Sequence, residues 1–202
     1  MCGVFGVSNY VMTDLEERFG VESEPRQEEL KSHFRPHTKI PTISRNSPNK
    51  LVFREWSLLP NWIRQFDDLK FPTFNARSET IREKPSFRNA WQRSQRCLIV
   101  ASEFYEFKDN GKGKKKTPFK FSMGGKLFAM AGLYEDRADF QTTTIITRAA
   151  SEQSKEIHDR LPVIIAKSDE EIWLDPNADL EKVYELISSS HSPKLNIEEV
   201  LT

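Results

Sequence analysis

A cysteine stands directly behind the first methionine in the opening sequence "MCGVFGV". Once Met1 is removed, Cys2 carries a free amine and a thiol on adjacent carbons, a pair that no internal cysteine can offer. Such a 1,2-aminothiol condenses with an aldehyde to a Schiff base, which the thiolate closes to a five-membered thiazolidine. An α-amino group has an ordinary pKa of about 7.7 to 8.0, so a useful neutral fraction exists near pH 7. Cys2 is therefore a candidate nucleophile.

Two further residues, a glutamate and a histidine, are candidates for transferring protons. Glu106 lies in the aromatic stretch "EFYEF", where strand alternation puts it on the same face as Phe104 and Lys108. Partial burial among aromatic rings would raise the pKa of this carboxyl group and let it carry a proton. Among the four histidines, His158 in "IHDRLP" is chosen only on the family resemblance given below; its ordinary pKa of about 6.5 lets it give or take a proton. An exposed glutamate paired with a lysine and a structural histidine are the alternatives.

No metal or other cofactor is predicted. His33 and His37 have a helical metal-ligand spacing, but Pro36 lies between them and no third ligand is evident. The only other cysteine, Cys97, sits in the apolar run "CLIVA" and is expected to be a buried free thiol. Two cysteines are too few for a disulfide framework, which indicates a reducing compartment.

The bulk properties favour one soluble domain spanning 1–202. With 202 residues the chain can bury a sizeable core, and with 30 basic and 30 acidic residues its formal net charge is zero. No signal peptide or apolar run of membrane-spanning length is present, so we expect a cytoplasmic protein without membrane contacts. We also expect it to be a monomer. The acidic residues gather at the two ends and the basic residues in the middle. For the run "GKGKKK" alone, a solvated hairpin tip is the preferred interpretation.

Short strands mixed with short helices predict an α+β fold, with a curved antiparallel or mixed sheet or an open barrel. Extended segments are predicted at "CGVFGVS", "HTKIPTIS", "KLVFREWS", "KLFAMAGLYE" and "QTTTIITR", and a hairpin joins "EFYEFK" to "TPFKFSM" through Asp109, Asn110 and Gly111. Helices are predicted at "TDLEERFG" with Thr13 as N-cap, and at "SFRNAWQRS", "ASEQSKEI", "SDEEIWL" and "DLEKVYELIS".

The opening residues resemble the "MCGIFG" start of class II glutamine amidotransferases, whose N-terminal cysteine attacks a glutamine amide. That resemblance stops early. No stretch similar to "NGEIYN" supplies an oxyanion hole, and no arginine loop similar to "RGPD" follows.

A second resemblance runs from Cys2 to about Asp175. The chain is similar to the SRAP family, named for SOS-response-associated peptidase. The matching pieces stand in family order: "MCG", "WSLLPNW", "NARSET", "EKPSFRNAWQRSQRCLIVASEFYEF", "FAMAGLYE", "TIITRAA" and "IHDRLPVII". The C-terminal part, with "SPKLNIEEVLT", diverges from the family's pattern.

The resemblance implies a catalytic set of Cys2, Asn75, Glu106 and His158. Family members act on abasic sites in single-stranded DNA and form a covalent link through the N-terminal cysteine. The glutamate is expected to shuttle a proton, the histidine to assist opening of the sugar ring, and the asparagine to hold the N-terminal amine.

The resemblance also implies a DNA-binding set of Arg77, Trp62, Arg88 and Arg160. A guanidinium clamps a phosphate with two parallel hydrogen bonds, and a base can stack on an indole. Two departures could weaken DNA affinity. Val4 stands where the family commonly has an arginine, and His33 stands where it usually has an asparagine.

The resulting prediction is an SRAP-type peptidase that removes its own Met1. It also forms a reversible, lyase-like thiazolidine crosslink with abasic single-stranded DNA in the DNA damage or SOS response. Its partner would be single-stranded DNA that contains abasic sites, and the protein would be associated with the nucleoid if the source is bacterial. A glutamine amidotransferase-like hydrolase and a non-covalent single-stranded DNA-binding module are the alternatives.

Overall fold

Twelve strands and four α-helices are found in the part of the chain that the computed structural model describes, residues 2–8, 12–22, 30–189 and 193–200. Met1 and its predicted removal lie outside these residues. The strands are β1 (Val4–Gly6), β2 (Lys39–Ser44), β3 (Ser47–Trp56), β4 (Asn75–Arg77), β5 (Arg96–Ala101), β6 (Glu103–Lys108), β7 (Thr117–Ser122), β8 (Phe128–Asp136), β9 (Gln141–Ala149), β10 (Arg160–Pro162), β11 (Ile164–Ile165) and β12 (Asn196–Glu199). The helices are α1 (Met12–Phe19), α2 (Pro85–Gln92), α3 (Glu170–Leu174) and α4 (Leu180–Ser188).

The smaller sheet is antiparallel, with strand order β1–β6–β7–β12. Its inner face packs into the core through Phe104 of β6 and Phe121 of β7, whose rings stack with centroids 4.7 Å apart. The strand β12 was missed at the sequence level because its four residues are mostly polar and carry no alternating apolar pattern.

The larger sheet is mixed, with strand order β10–β9–β3–β2–β5–β8–β11 and with β4 paired to β9. The strands β3 and β4 run parallel to β9, whereas the remaining pairs are antiparallel. Because β9 pairs with both β3 and β8, the sheet is strongly curled. The predicted α+β class with a curved mixed sheet and short helices is confirmed.

Four of the five predicted helices are present, although α1 begins at Met12 and so contains Thr13 in its first turn instead of using it as the N-cap. The helix predicted at "ASEQSKEI" is wrong, because this segment forms a series of turns. Its backbone hydrogen bonds do not continue as a regular helical series. The backbone N–H groups of Ser154 and Lys155 both donate to Ser151 O. The neighbouring strands β9 and β10 pair with each other, and Ala150 N donates to Asp159 O, which closes the segment into a loop.

The predicted β6–β7 hairpin is confirmed, with Glu106 opposite Phe119 and Lys108 opposite Thr117. Its connection occupies residues 109–116 and so extends well past Asp109, Asn110 and Gly111. No helix in the described ranges is long and apolar enough to cross a membrane.

Candidate active site

The four predicted catalytic residues come from both sheets and meet where the sheets adjoin. Glu106 is in the middle of β6 of the smaller sheet, and Cys2 lies two residues before β1 of the same sheet. Asn75 is the first residue of β4 of the larger sheet, and His158 lies two residues before β10 of that sheet. The register of β4 and β10 on β9 brings Asn75 and His158 to the site.

Cys2 is completely buried. Burial, and secondarily the nearby Glu106 carboxylate, raise the pKa of its thiol well above the ordinary value. The Sγ atom lies 3.9 Å from the backbone oxygen of Val4, to which the thiol donates. At neutral pH the thiol is therefore protonated and needs a base before it can attack.

Asn75 fixes the backbone of Cys2. Its Nδ2 donates to the carbonyl oxygen of Cys2 at 2.6 Å. Its Oδ1 is buried and has no hydrogen-bond partner among the described residues. Since a buried amide oxygen without a donor is costly, this atom is an available acceptor directly beside the cysteine.

Glu106 is a nearly inaccessible carboxyl group, with 3% of its side chain exposed. Burial raises its pKa to about 7. The sequence-level expectation of a raised pKa on this strand face is consistent with this value. A carboxyl group that titrates near neutral pH can serve as both an acid and a base.

His158 is held in one orientation beside Glu106. Its Nε2 lies 3.7 Å from Glu106 Oε2, and its Nδ1 accepts a hydrogen bond of 3.0 Å from the backbone N–H of Arg160. Although Asp159 Oδ1 also lies 3.0 Å from Nδ1, a backbone N–H can only donate, so Nδ1 is the acceptor in the neutral ring. Burial lowers the pKa of His158, which favours this neutral ring with its proton on Nε2, facing Glu106.

Three of the predicted DNA-contacting side chains are exposed. Arg77 at the end of β4 and Arg88 on α2 are both exposed. Trp62 is 55% exposed, and its indole Nε1 lies 3.5 Å from Pro85 O at the start of α2. The ring of Phe71, itself 40% exposed, lies 6.3 Å away between centroids. This pair forms an aromatic surface on which bases could stack.

Arg160 differs from the other three because its guanidinium already has partners in the protein. Its two terminal nitrogens donate to the Glu79 carboxylate at 2.6 and 2.8 Å, and Nη2 also donates to Thr147 O at 2.7 Å. This pairing lowers the pKa of Glu79. A DNA phosphate would have to compete with Glu79, so the contact of Arg160 with DNA stays a prediction.

The two departures from the family pattern lie close together. Val4 is buried in β1 opposite Tyr105. His33 is exposed and stacks on Tyr105 with ring centroids 5.1 Å apart. The imidazole ring of His33 therefore packs against an aromatic ring. Among the described residues, no group of three His, Cys, Asp or Glu side chains could hold a metal ion.

A polar clasp holds β1 in place and was missed at the sequence level. The carboxylate of Glu103 accepts hydrogen bonds from the hydroxyl groups of Ser8 and Ser102, and the backbone N–H of Ser102 donates to Gly6 O. Glu103 is 7% exposed. Strand alternation could have separated Glu103 from Glu106, but nothing in the sequence shows that Ser8 reaches it.

A family model and several named proteins are similar to this chain. The family model described as SOS response associated peptidase (SRAP) matches residues 1–202. The abasic site processing protein YoaM of Bacillus subtilis (strain 168) is 36% identical over 225 residues, covering 100% of this chain and 97% of the relative. The abasic site processing protein HMCES of Gallus gallus is 33% identical over 157 residues, covering 64% of this chain and 46% of the relative.

Similar solved structures support the fold. A protein from Bacteroides thetaiotaomicron gives a TM-score of 0.85 at 24% identity, covering 99% of this chain and 92% of that one. A protein from Bordetella bronchiseptica gives a TM-score of 0.83 at 22% identity and covers both chains completely.

Proposed function

Because this chain belongs to the SOS response associated peptidase (SRAP) family, we propose that it processes abasic sites in single-stranded DNA through a covalent bond to Cys2. Its relatives YoaM and HMCES are named abasic site processing proteins. The observation that carries the proposal is the buried group at the sheet junction, in which Asn75 holds the Cys2 backbone and the Glu106 carboxyl group neighbours both the Cys2 thiol and His158.

The amine of Cys2 is the first nucleophile because its thiol is protonated. The abasic sugar opens to an aldehyde, assisted by the Nε2–H of neutral His158. The neutral amine attacks the aldehyde carbon, and the former carbonyl oxygen leaves as water after taking up two protons. Asn75 Oδ1, the free acceptor beside Cys2, orients the amine during this step.

Ring closure needs a base for the Cys2 thiol. Glu106, with a pKa of about 7, takes the thiol proton as the sulfur bonds to the imine carbon, and the imine nitrogen gains a proton. The product is a thiazolidine, and the overall condensation releases one water molecule. The same groups can catalyse the reverse steps, so the thiazolidine link is reversible.

Removal of Met1 must come first, because the Met1–Cys2 peptide bond occupies the amine. We propose that the chain cleaves this bond itself, with Glu106 as the proton carrier. A methionine aminopeptidase is the alternative agent, since cysteine is small enough for it. The predicted cytoplasmic location, monomeric state and role in the DNA damage response belong to this same proposal.

The experiment is denaturing electrophoresis after incubation with a single-stranded oligonucleotide that contains one abasic site. We expect the wild-type protein, confirmed by mass to lack Met1, to give a denaturant-stable adduct. Cys2→Ala keeps an amine but has no thiol, so its imine should survive only after borohydride reduction. Cys97→Ala is the matched control because it removes the other buried cysteine and should keep the adduct.

Three other results would contradict the proposal or indicate one of the alternative functions. A wild-type protein that lacks Met1 and forms no adduct contradicts the proposal. Retardation of the oligonucleotide on a native gel without an adduct indicates a non-covalent binding module. Release of glutamate from glutamine, lost in Cys2→Ala, indicates the amidotransferase alternative.

A further inference from the structure

The connection between β6 and β7, residues 109–116 with the sequence "DNGKGKKK", has a defined shape and is called the lysine loop below. Asn110 Nδ2 donates to Lys115 O and to Thr117 Oγ1, both at 2.8 Å, and so ties the two sides of the loop together. Gly111 N donates to Asp109 Oδ1 at 2.9 Å. The positive φ angles of Gly111 and Gly113, 96° and 81°, allow the reversal of direction.

The lysine loop carries positive charge that the protein does not neutralise. Its residues are all exposed, including the four lysines Lys112, Lys114, Lys115 and Lys116. Within the described ranges none of these ammonium groups has a carboxylate partner. By contrast, Lys120 on β7 pairs with Glu198 at 2.8 Å. The loop contains one acidic residue, Asp109, whose carboxylate accepts from the backbone.

The lysine loop also lies beside the active site. It continues directly from β6, whose last residue, Lys108, is two positions beyond Glu106, or about 7 Å along the strand. The charge of Lys116 reaches His158, because it adds to the lowering of the histidine pKa that burial causes. The exposed Arg77, Arg88 and Trp62 come instead from elements around the larger sheet, so the active site has basic groups on elements of both sheets.

We propose that the lysine loop is a second DNA-backbone surface, which binds phosphates of the single strand next to the lesion. This inference rests on the proposed function for the identity of the partner. Lysine binds phosphate as a point charge, and the loop has no aromatic side chain for a base to stack on. Its contribution is therefore independent of base sequence and strongly dependent on salt.

The experiment measures the affinity for intact single-stranded DNA, without an abasic site, over a series of salt concentrations. The test variant combines Lys112→Gln, Lys114→Gln and Lys115→Gln, and it leaves Lys116 beside His158 unchanged. For single strands the slope of log affinity against log salt falls by about 0.7 for each phosphate that the protein no longer neutralises, so we expect a slope smaller by about 2. The affinity should drop at least about tenfold near 0.1 M salt.

Two controls separate position from charge. Replacing the same three lysines by arginine keeps their charge and should restore the wild-type slope. Replacing the exposed lysines Lys50, Lys167 and Lys182 by glutamine removes the same charge from other elements and should leave the slope unchanged. Thermal unfolding is measured for all variants, and because the loop is exposed we expect melting temperatures close to that of the wild type.

The outcomes distinguish this proposal from the proposed function. If the glutamine variant keeps the wild-type slope and affinity while the wild type forms its adduct, the lysine loop proposal is wrong and the proposed function stands. If the slope falls as expected but the wild type forms no adduct, the loop is a DNA surface and the covalent function is wrong. An equal loss in the Lys50, Lys167 and Lys182 control also overturns the loop proposal.

Discussion

Burial sets the protonation state of each ionisable side chain at the candidate site. It raises the pKa of the Cys2 thiol and of the Glu106 carboxyl group, and it lowers the pKa of His158. All three shifts favour the uncharged form, as desolvation requires. The site therefore holds neutral groups near pH 7, with Glu106 closest to its own titration point.

The shift of Glu106 predicts that Glu106→Gln stabilises the protein at alkaline pH. The folded protein keeps a proton on Glu106 up to about pH 7, whereas the unfolded chain loses it near the ordinary value of 4.5. Wild-type stability therefore falls as the pH rises from 4.5 to 7, by about 3 kcal/mol in all. Thermal unfolding should show the variant melting higher than the wild type at pH 8, with the difference shrinking toward pH 4.5.

Once a methionine aminopeptidase has removed its Met1, the same variant should form the adduct on the order of 10²-fold to 10⁴-fold more slowly, because it has lost its proton carrier. Its intact mass tests self-processing: a variant that still lacks Met1 removes the claim of autocatalysis. Glu152→Gln, which changes an exposed carboxylate with 88% of its side chain accessible, is the control and should alter neither property. If Glu106→Gln raised the melting temperature equally at pH 8 and at pH 4.5, Glu106 would not be a buried carboxyl group with a raised pKa.

The sequence predicted which side chains carry the chemistry better than it predicted which residues those side chains contact. The position of Glu106 on an aromatic strand face was predictable because alternation is a local property. The bond from Asn75 to the Cys2 carbonyl and the pairing of Arg160 with Glu79 were not. They join residues 73 and 81 positions apart and depend on the register of β4 and β10 on β9.

At the level of elements, β1 is the part that places Cys2, and its position depends on a close approach at Gly6. A Cβ atom there would overlap Ser32 O and Glu103 Oε1, both closer than real Cβ contacts come. One of these groups is backbone and the other is the carboxylate of the clasp. The strand therefore has no room for a side chain at this position.

This close approach predicts that Gly6→Ala displaces β1 and weakens both stability and adduct formation. Overpacking of this kind costs about 1–3 kcal/mol. Thermal unfolding measures the first effect, and the rate of adduct formation with abasic DNA measures the second. The rate should fall more than the reduced stability explains, because Cys2 moves relative to Glu106.

Gly20→Ala provides the matched control for this substitution. Gly20 has a φ of +65°, and no atom lies within 4 Å of a Cβ placed there. The substitution should cost about 1 kcal/mol through backbone strain and leave adduct formation unchanged. Equal losses of adduct in both variants would mean that β1 does not position Cys2 as described.

Element predictions succeeded where a pattern repeated and failed where tertiary pairing decided. The long strands β8 and β9 were predictable from their apolar and β-branched runs. The helix predicted at "ASEQSKEI" had good helix formers, but pairing of the flanking strands left a loop that backbone bonds close from Ala150 to Asp159. Local propensity is a weak guide when the ends of a segment are fixed by other elements.

Across the whole molecule, the tryptophans separate into a buried set and one surface residue. Trp56, Trp91 and Trp173 are at most 2% exposed, as expected for core residues, whereas Trp62 is 55% exposed. A polar quencher in solution reaches an exposed indole and not a buried one. Intrinsic fluorescence therefore reports on Trp62 separately from the fold.

We predict that iodide quenches a fraction of the fluorescence that disappears in Trp62→Phe, and that single-stranded DNA protects this fraction in the wild type. Trp62→Ala should weaken DNA binding by about 1–3 kcal/mol because a base can no longer stack there. Trp91→Phe is the control, because Trp91 is buried, and it should leave the quenchable fraction intact. Unchanged quenching at saturating DNA would place Trp62 outside the path of the strand.

The junction of two sheets at the active site has a consequence for the order of folding. Cys2 and His158 are 156 positions apart in the sequence, and Asn75 and Glu106 lie between them. Contacts between such distant segments close only after most of the chain entropy has been lost. During synthesis Cys2 is therefore made long before its pocket, and we expect removal of Met1 and reactivity toward aldehydes in DNA to appear only after the segment with His158 has been added.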